Sequence, residues 1–91
     1  MPDKIHCAHI LVKTETEAKN IKARLDKGEK FGPTAKNVSL CPSGKNGGDL
    51  GTFTRGRMVK EFEKAAFALE KGKISDPVRT QFGYHIIKRL E

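Results

Sequence analysis

Three histidines, two cysteines and one glycine-rich stretch are the residues of this chain whose types invite chemistry. His9 and His85 stand in the two most strand-like segments, residues 4–13 and 83–90. A neutral imidazole offers one donor and one acceptor, and it titrates near physiological pH. On neighbouring central strands the two rings can hydrogen-bond, each fixing the tautomer of the other. Taken singly, each is an ordinary core or surface histidine. Neither belongs to a helical HxxxH pair or stands beside a carboxylate at catalytic spacing.

Other chemistries fail on spacing. His6, Cys7, His9, Cys41 and His85 make a tempting metal set, but His6 and Cys7 project to opposite faces of a strand. No CxxC or HxxxH pair seeds a tetrahedral site, so no metal is expected. A Cys–His protease reading also lacks support. Cys41 precedes Pro42 in a loop, with no helix N-terminus directly behind it to lower its pKa. The glycines from Gly44 to Gly51 lack the GK[ST] ending that grips a nucleotide phosphate. Met58 and Phe62, four apart in a helical pattern, project together and read alone as core packing.

The elements that must position these residues are legible from periodicity. Residues 4–13 form a strand with Cys7, His9 and Leu11 on one face and Ala8, Ile10 and Val12 on the other. Apolar groups on both faces place it centrally in a sheet. Thr14 to Glu17 has capping-box spacing, with Thr14 as N-cap and Glu17 reaching back. Ala18, Ile21 and Leu25 continue at helical spacing until Gly28 stops the helix. A second, shorter helix enters near Pro33 and buries Ala35 and Val38. Residues 41–51, with one Pro and four Gly, read as an irregular loop. A short strand at 50–54 and a helix over 58–69 follow, the helix carrying Val59, Phe62, Ala66 and Leu69 near one stripe. Residues 74–79 form an edge strand interrupted by Pro77, and residues 83–90 the last strand. This order describes an α+β domain with a small antiparallel sheet.

The 91 residues, 36% hydrophobic and 32% charged, suit one domain spanning residues 1–91, with a thin core and one shallow cleft. Nothing in Met1 to Lys4 resembles a secretory leader, and no apolar run approaches membrane-spanning length. The expectation is a cytoplasmic protein with both thiols reduced, and a monomer, since no spare apolar stripe is evident. Lysine and arginine number 18 against 11 acids, a net charge of +7. The lysines are dispersed among acids, which reads first as a solvated face. Weak contact with anionic membrane or nucleic acid is the second reading. A dedicated nucleic-acid-binding domain is disfavoured, because no recognition helix is apparent and the core needs most of the Phe residues.

Five blocks together carry a resemblance. They are His9-Ile10-Leu11-Val12-Lys13; Cys41-Pro42-Ser43-Gly44; Gly48-Asp49-Leu50-Gly51-x-Phe53; Gly56-x-Met58-Val59-x-x-Phe62; and Pro77-Val78-x-Thr80-x-Phe82-Gly83-Tyr84-His85-Ile86-Ile87. In this order and spacing they resemble the parvulin domain over nearly the whole chain.

That resemblance implies a parvulin-like member of the FKBP-like superfold, a four-stranded antiparallel sheet surrounded by about four helices. It implies a peptidyl-prolyl cis/trans isomerase acting on proline-containing polypeptides without a cofactor. His9 and His85 match the family's paired histidines, and Cys41 and Thr80 match two further polar positions that join them in a hydrogen-bond network. Leu50, Met58 and Phe62 match the pocket for the proline ring, with Phe82 and Phe53 at its edges. The family accepts Asp where Cys41 stands, which implies a noncovalent role. The phosphate-directed branch carries clustered basic residues after the first strand. Here Thr14-Glu15-Thr16-Glu17 follows instead, an acidic turn expected to repel a phosphate rather than clamp it. A non-catalytic, chaperone-like module that grips proline segments is the alternative. Such modules usually lose polar site positions, and here all four are filled.

Overall fold

The computed structural model describes residues 4–91. Its elements run β1 (Lys4–Val12), α1 (Glu15–Asp26), α2 (Phe31–Val38), a 3-10 helix (Pro42–Asn46), β2 (Asp49–Thr54), α3 (Lys60–Ala68), β3 (Val78–Thr80) and β4 (Gly83–Arg89). The four strands form one antiparallel sheet in the order β2-β1-β4-β3. β1 and β4, the two strands carrying His9 and His85, are therefore the central pair.

Strand alternation divides the core as the residue pattern requires. Ala8, Ile10 and Val12 of β1 and Ile86 of β4 pack beneath α1 and α2 with Ala18, Ile21, Leu25, Phe31 and Ala35. Ile5 and Cys7 face the other way and join Phe53, Phe62, Ala66 and Ile87 under α3. Desolvation on that face pushes the Cys7 thiol up to about 11, against a lowering by Arg89.

α1 begins at the Thr14 cap, whose hydroxyl accepts the Glu17 N–H at 3.2 Å. Glu17 reaches back to the Thr14 hydroxyl at 3.1 Å. The helix surround is three α-helices and one 3-10 helix. That fourth helix lies inside the stretch expected to be an irregular loop. Pro42 presets its first turn, Gly44 N–H donates to the Cys41 carbonyl at 2.9 Å, and Gly47 closes it. Cys41 is consequently the N-cap of a short helix rather than a residue with no helix behind it. The strand expected over 74–79 is reduced to Val78–Thr80, with Ile74 making only an isolated bridge to Lys88. Pro77 supplies no N–H for a longer ladder.

β2 carries a bulge. His6 pairs with Thr52 and Ala8 with Asp49, so two residues of β2, Leu50 and Gly51, oppose Cys7 alone. Gly51 has φ +74°, a conformation that glycine takes without a Cβ penalty. The extra residue reverses the alternation, so that Leu50 and Phe53, three apart, both face α3. On the other face, Asp49 accepts from His6 Nε2 at 2.6 Å and from Gly51 N–H at 2.7 Å. These bonds hold the Asp49 carboxyl below its usual range.

Candidate active site

His9 and His85 sit diagonally across the central strand pair, His9 opposite Ile87 and His85 opposite Leu11. Their rings lie 18° from parallel with centroids 5.0 Å apart, and their Nδ1 atoms are 2.9 Å apart. Thr80 Oγ1 lies 2.7 Å from His85 Nε2 and accepts the Phe82 N–H at 3.2 Å. Phe62 of α3 meets both imidazoles edge to face, at 5.6 and 5.4 Å.

This geometry orders the protons. When the Thr80 hydroxyl donates to His85 Nε2, His85 Nδ1–H donates to His9 Nδ1 and the remaining proton sits on His9 Nε2. Reversing one bond reverses them all. His9 Nε2 is buried and has no partner among the described residues. Burial, reinforced by the charge of a protonated His85, pushes the pKa of His9 down to about 4. Burial lowers that of His85 as well. Both rings are therefore neutral at physiological pH.

A cleft of about 500 Å³ opens over this pair. Leu50, Met58, Phe62 and Phe82 line it together with His9, His85 and Cys41. Met58 precedes α3 rather than lying on it, yet its side chain reaches the same wall as Phe62. The helical spacing assigned to the two was thus the wrong cause of a correct neighbourhood.

Phe53 is not at the cleft edge. It is 6% exposed and stands behind the wall, its ring 6.2 Å from that of Phe62, as a consequence of its pairing with Ile5 beneath α3.

Cys41 shares the cleft but not the histidine network. Its Sγ accepts the Ser43 hydroxyl at 3.2 Å. Ser39 Oγ accepts both the Leu11 and Cys41 N–H groups, and Leu40 N–H donates to the Leu11 carbonyl, which pins the segment beside β1. Gly48 lets the following turn close on β1. A Cβ there would fall 2.2 Å from the His9 carbonyl oxygen, whereas the bare backbone allows His9 N–H to donate to Gly48 at 2.9 Å.

Leu11, Leu40 and Arg57 also line the cleft without having been singled out. Leu11 was recoverable, since alternation puts it on the His9 face. Leu40 is 54% exposed and Phe82 59%, the large apolar side chains left open among the described residues, and they share one cleft. The signal for Leu40 was a lone leucine in a polar stretch. Arg57 carried no signal, because its approach depends on how the turn after β2 folds. The acidic turn at Thr14 to Glu17 does not line the cleft; Glu15 borders a separate depression with Asp76 and Pro77. The repulsion of phosphate expected from that turn has no geometry behind it, and the charge that faces the cleft is Arg57. Among the described residues no cluster of three or more His, Cys, Asp and Glu side chains suits a metal ion.

An apolar cleft floored by a buried neutral histidine pair, on a sheet of this order, defines a rotamase-type domain. The family described as "Rotamase: PPIC-type PPIASE domain" matches residues 9–91. The foldase protein PrsA of Geobacillus kaustophilus is 60% identical over 86 residues, covering 93% of this chain and 31% of that protein. The crystal structure of PrsA from Bacillus anthracis superposes with a TM-score of 0.95 at 51% identity, covering 96% of this chain and 41% of that one. The solution structure of NmPin, the parvulin of Nitrosopumilus maritimus, gives a TM-score of 0.89 at 51% identity and covers 100% of this chain and 99% of its own. The chain belongs to the parvulin family of peptidyl-prolyl isomerases. It spans about a third of the length of the PrsA relatives that it matches.

Proposed function

We propose that this domain is itself a catalytic prolyl isomerase, accelerating rotation about X-Pro bonds in polypeptides without a covalent intermediate, a cofactor or a phosphorylated residue before proline. One observation carries the reading: the apolar cleft ends on the hydrogen-bonded pair of His9 and His85. Rotation about an amide C–N bond faces a barrier of ~18–20 kcal/mol, because resonance gives it double-bond character. No bond breaks. About 4 kcal/mol of preference for the twisted amide is worth roughly a thousandfold in rate.

Leu50, Met58 and Phe62 supply one part by holding the proline ring and drying the imide, which disfavours its planar, charge-separated form. Met58 suits a ring that changes position, because its thioether side chain is unbranched. His9 and His85, oriented by Thr80, supply a preorganised polar surface beside the turning carbonyl. Cys41 contributes a polar group at the rim, and Phe82 an apolar flank.

The test is NMR exchange spectroscopy on an Ala-Pro peptide. Line broadening at catalytic protein concentrations is the expected result. Binding with unchanged exchange would favour the chaperone-like module, to which the exposed Leu40 and Phe82 are also suited. For phosphate independence, pSer-Pro should turn over within a few-fold of Ser-Pro, since a single guanidinium is not a clamp.

The same reading includes a cytoplasmic monomer whose basic surface touches anionic membrane or nucleic acid only weakly. The dispersal of lysines among acids on α1, with Lys19 and Lys22 facing Glu15 and Asp26, supports weak contact. Sedimentation and vesicle or DNA titration across salt would test the assembly and the contact.

A further inference from the structure

We propose that the proline cleft continues past Arg57 into a shallow basic groove on β2, and that this groove takes an acidic side chain one to three residues from the substrate proline. The inference rests on the isomerase reading and adds a substrate preference to it.

The cleft wall is apolar apart from Cys41, the two imidazoles and Arg57. With both imidazoles neutral, Arg57 is its one formal charge among the described residues. The same Arg57 borders a second depression of about 430 Å³, lined by Lys4, Thr52, Phe53 and Thr54. The two hollows thus share a single cation as their divide. β2 is an edge strand, and among the described residues no further strand pairs with its outer edge.

The surrounding charges leave Arg57 available. Arg55, from the same turn, lies 4.2 Å over the ring of Phe67. The carboxylate of Glu63 accepts the Gly56 N–H. Among the described residues neither Arg57 nor Lys4 forms an ion pair, whereas Lys19, Lys22, Arg24 and Lys71 all do. Among the described residues no Asp or Glu lines either hollow.

An extended chain whose proline occupies the cleft and crosses Arg57 therefore meets two cations and two threonine hydroxyls, an environment that favours carboxylate over amide or ammonium. Arg57 is exposed, which sets the scale. Solvent-exposed pairs contribute ~0.2–1 kcal/mol, or roughly 1.5- to 5-fold in kcat/KM.

The experiment compares Pro peptides that differ only by Glu, Gln, Lys or phosphoserine at one flanking position, scanned over three positions on each side, by NMR exchange at about 0.02 and 0.5 M salt. On one side of proline, Glu should exceed Gln by the stated factor at low salt and converge with it at high salt. In Arg57→Glu the order should invert to favour Lys. Ratios are taken within each variant, so that a general change in turnover cancels. Phosphoserine within a few-fold of Glu fits the groove, whereas a preference above about tenfold would identify a phosphate site and overturn the carboxylate assignment. Catalysis with equal rates for Glu, Gln and Lys would overturn the groove while leaving the isomerase intact. An absence of catalysis on every peptide would instead remove the isomerase reading.

Discussion

His9 and His85 meet through their Nδ1 atoms at 2.9 Å, so one proton serves both nitrogens and each ring dictates the tautomer of the other. Two neutral imidazoles satisfy this contact. Protons on both Nδ1 atoms, as when both rings are charged, would set two donors against each other inside the core.

That relationship fixes the response to acid. Unfolded histidine binds its proton near pH 6.5, whereas folded His9 resists until about 4. Below pH 6.5 the unfolded state takes up protons that the folded state refuses. Stability should therefore be complete above 6.5 and fall as the pH drops towards 4, by about 3 kcal/mol from His9 alone. Urea denaturation at pH 7.5, 5.5 and 4.5 measures the slope, which His9→Gln should flatten. An NMR titration that placed His9 near 6.5 would contradict the burial argument.

Thr80→Val keeps the shape and removes the hydroxyl that orients His85 and accepts the Phe82 N–H. The stability cost should be about 1–2 kcal/mol. Turnover should fall about tenfold, with the nitrogen chemical shifts of His85 reporting a disturbed tautomer balance. Intact tautomer signals with unchanged kcat would leave Thr80 a structural residue only.

Cys41 bonds to Ser43 and not to the histidines, which fits a rim contact rather than a nucleophile. Cys41→Asp should retain activity within about an order of magnitude, ~1.4 kcal/mol. Loss of catalysis in a folded Cys41→Asp protein would instead implicate the sulfur in covalent chemistry.

The bulge at Gly51 brings Leu50 and Phe53 to one face of β2, where Leu50 lines the cleft and Phe53 stands behind its wall. Leu50→Ala, at the cleft, should raise KM several-fold with a modest stability loss. Phe53→Leu, behind the wall, should cost about 1–2 kcal/mol of stability and leave kcat/KM within about twofold. The reverse pattern in denaturation and kinetics would place Phe53 in the cleft after all.

Much of this was legible because it follows from local periodicity. The alternation in β1 put His9 and Leu11 on one face and Ala8, Ile10 and Val12 on the other, and the Thr14 cap and Gly28 stop bounded α1. The histidine pair was visible as two residues on two central strands. Other features depend on long-range geometry. The 3-10 helix after Cys41 hid in a composition that reads as loop. The parity change at Gly51 appears only when β2 is laid against β1, as does the pairing with Ile5 that seats Phe53 behind the wall. Arg57 reached the cleft through a turn whose path no periodic pattern encodes.

Gly51 also has an evolutionary meaning. By adding one residue opposite Cys7, it lets the chain present Leu50 to a ligand and Phe53 to the interior from the same short strand. Substitutions at Leu50 can retune what the protein accepts while the packing partner of Ile5 stays untouched. Flattening the bulge with every residue retained would return residues 50–53 to strict alternation and turn Leu50 away from the cleft. A single backbone irregularity thus lets selectivity drift while the fold is conserved.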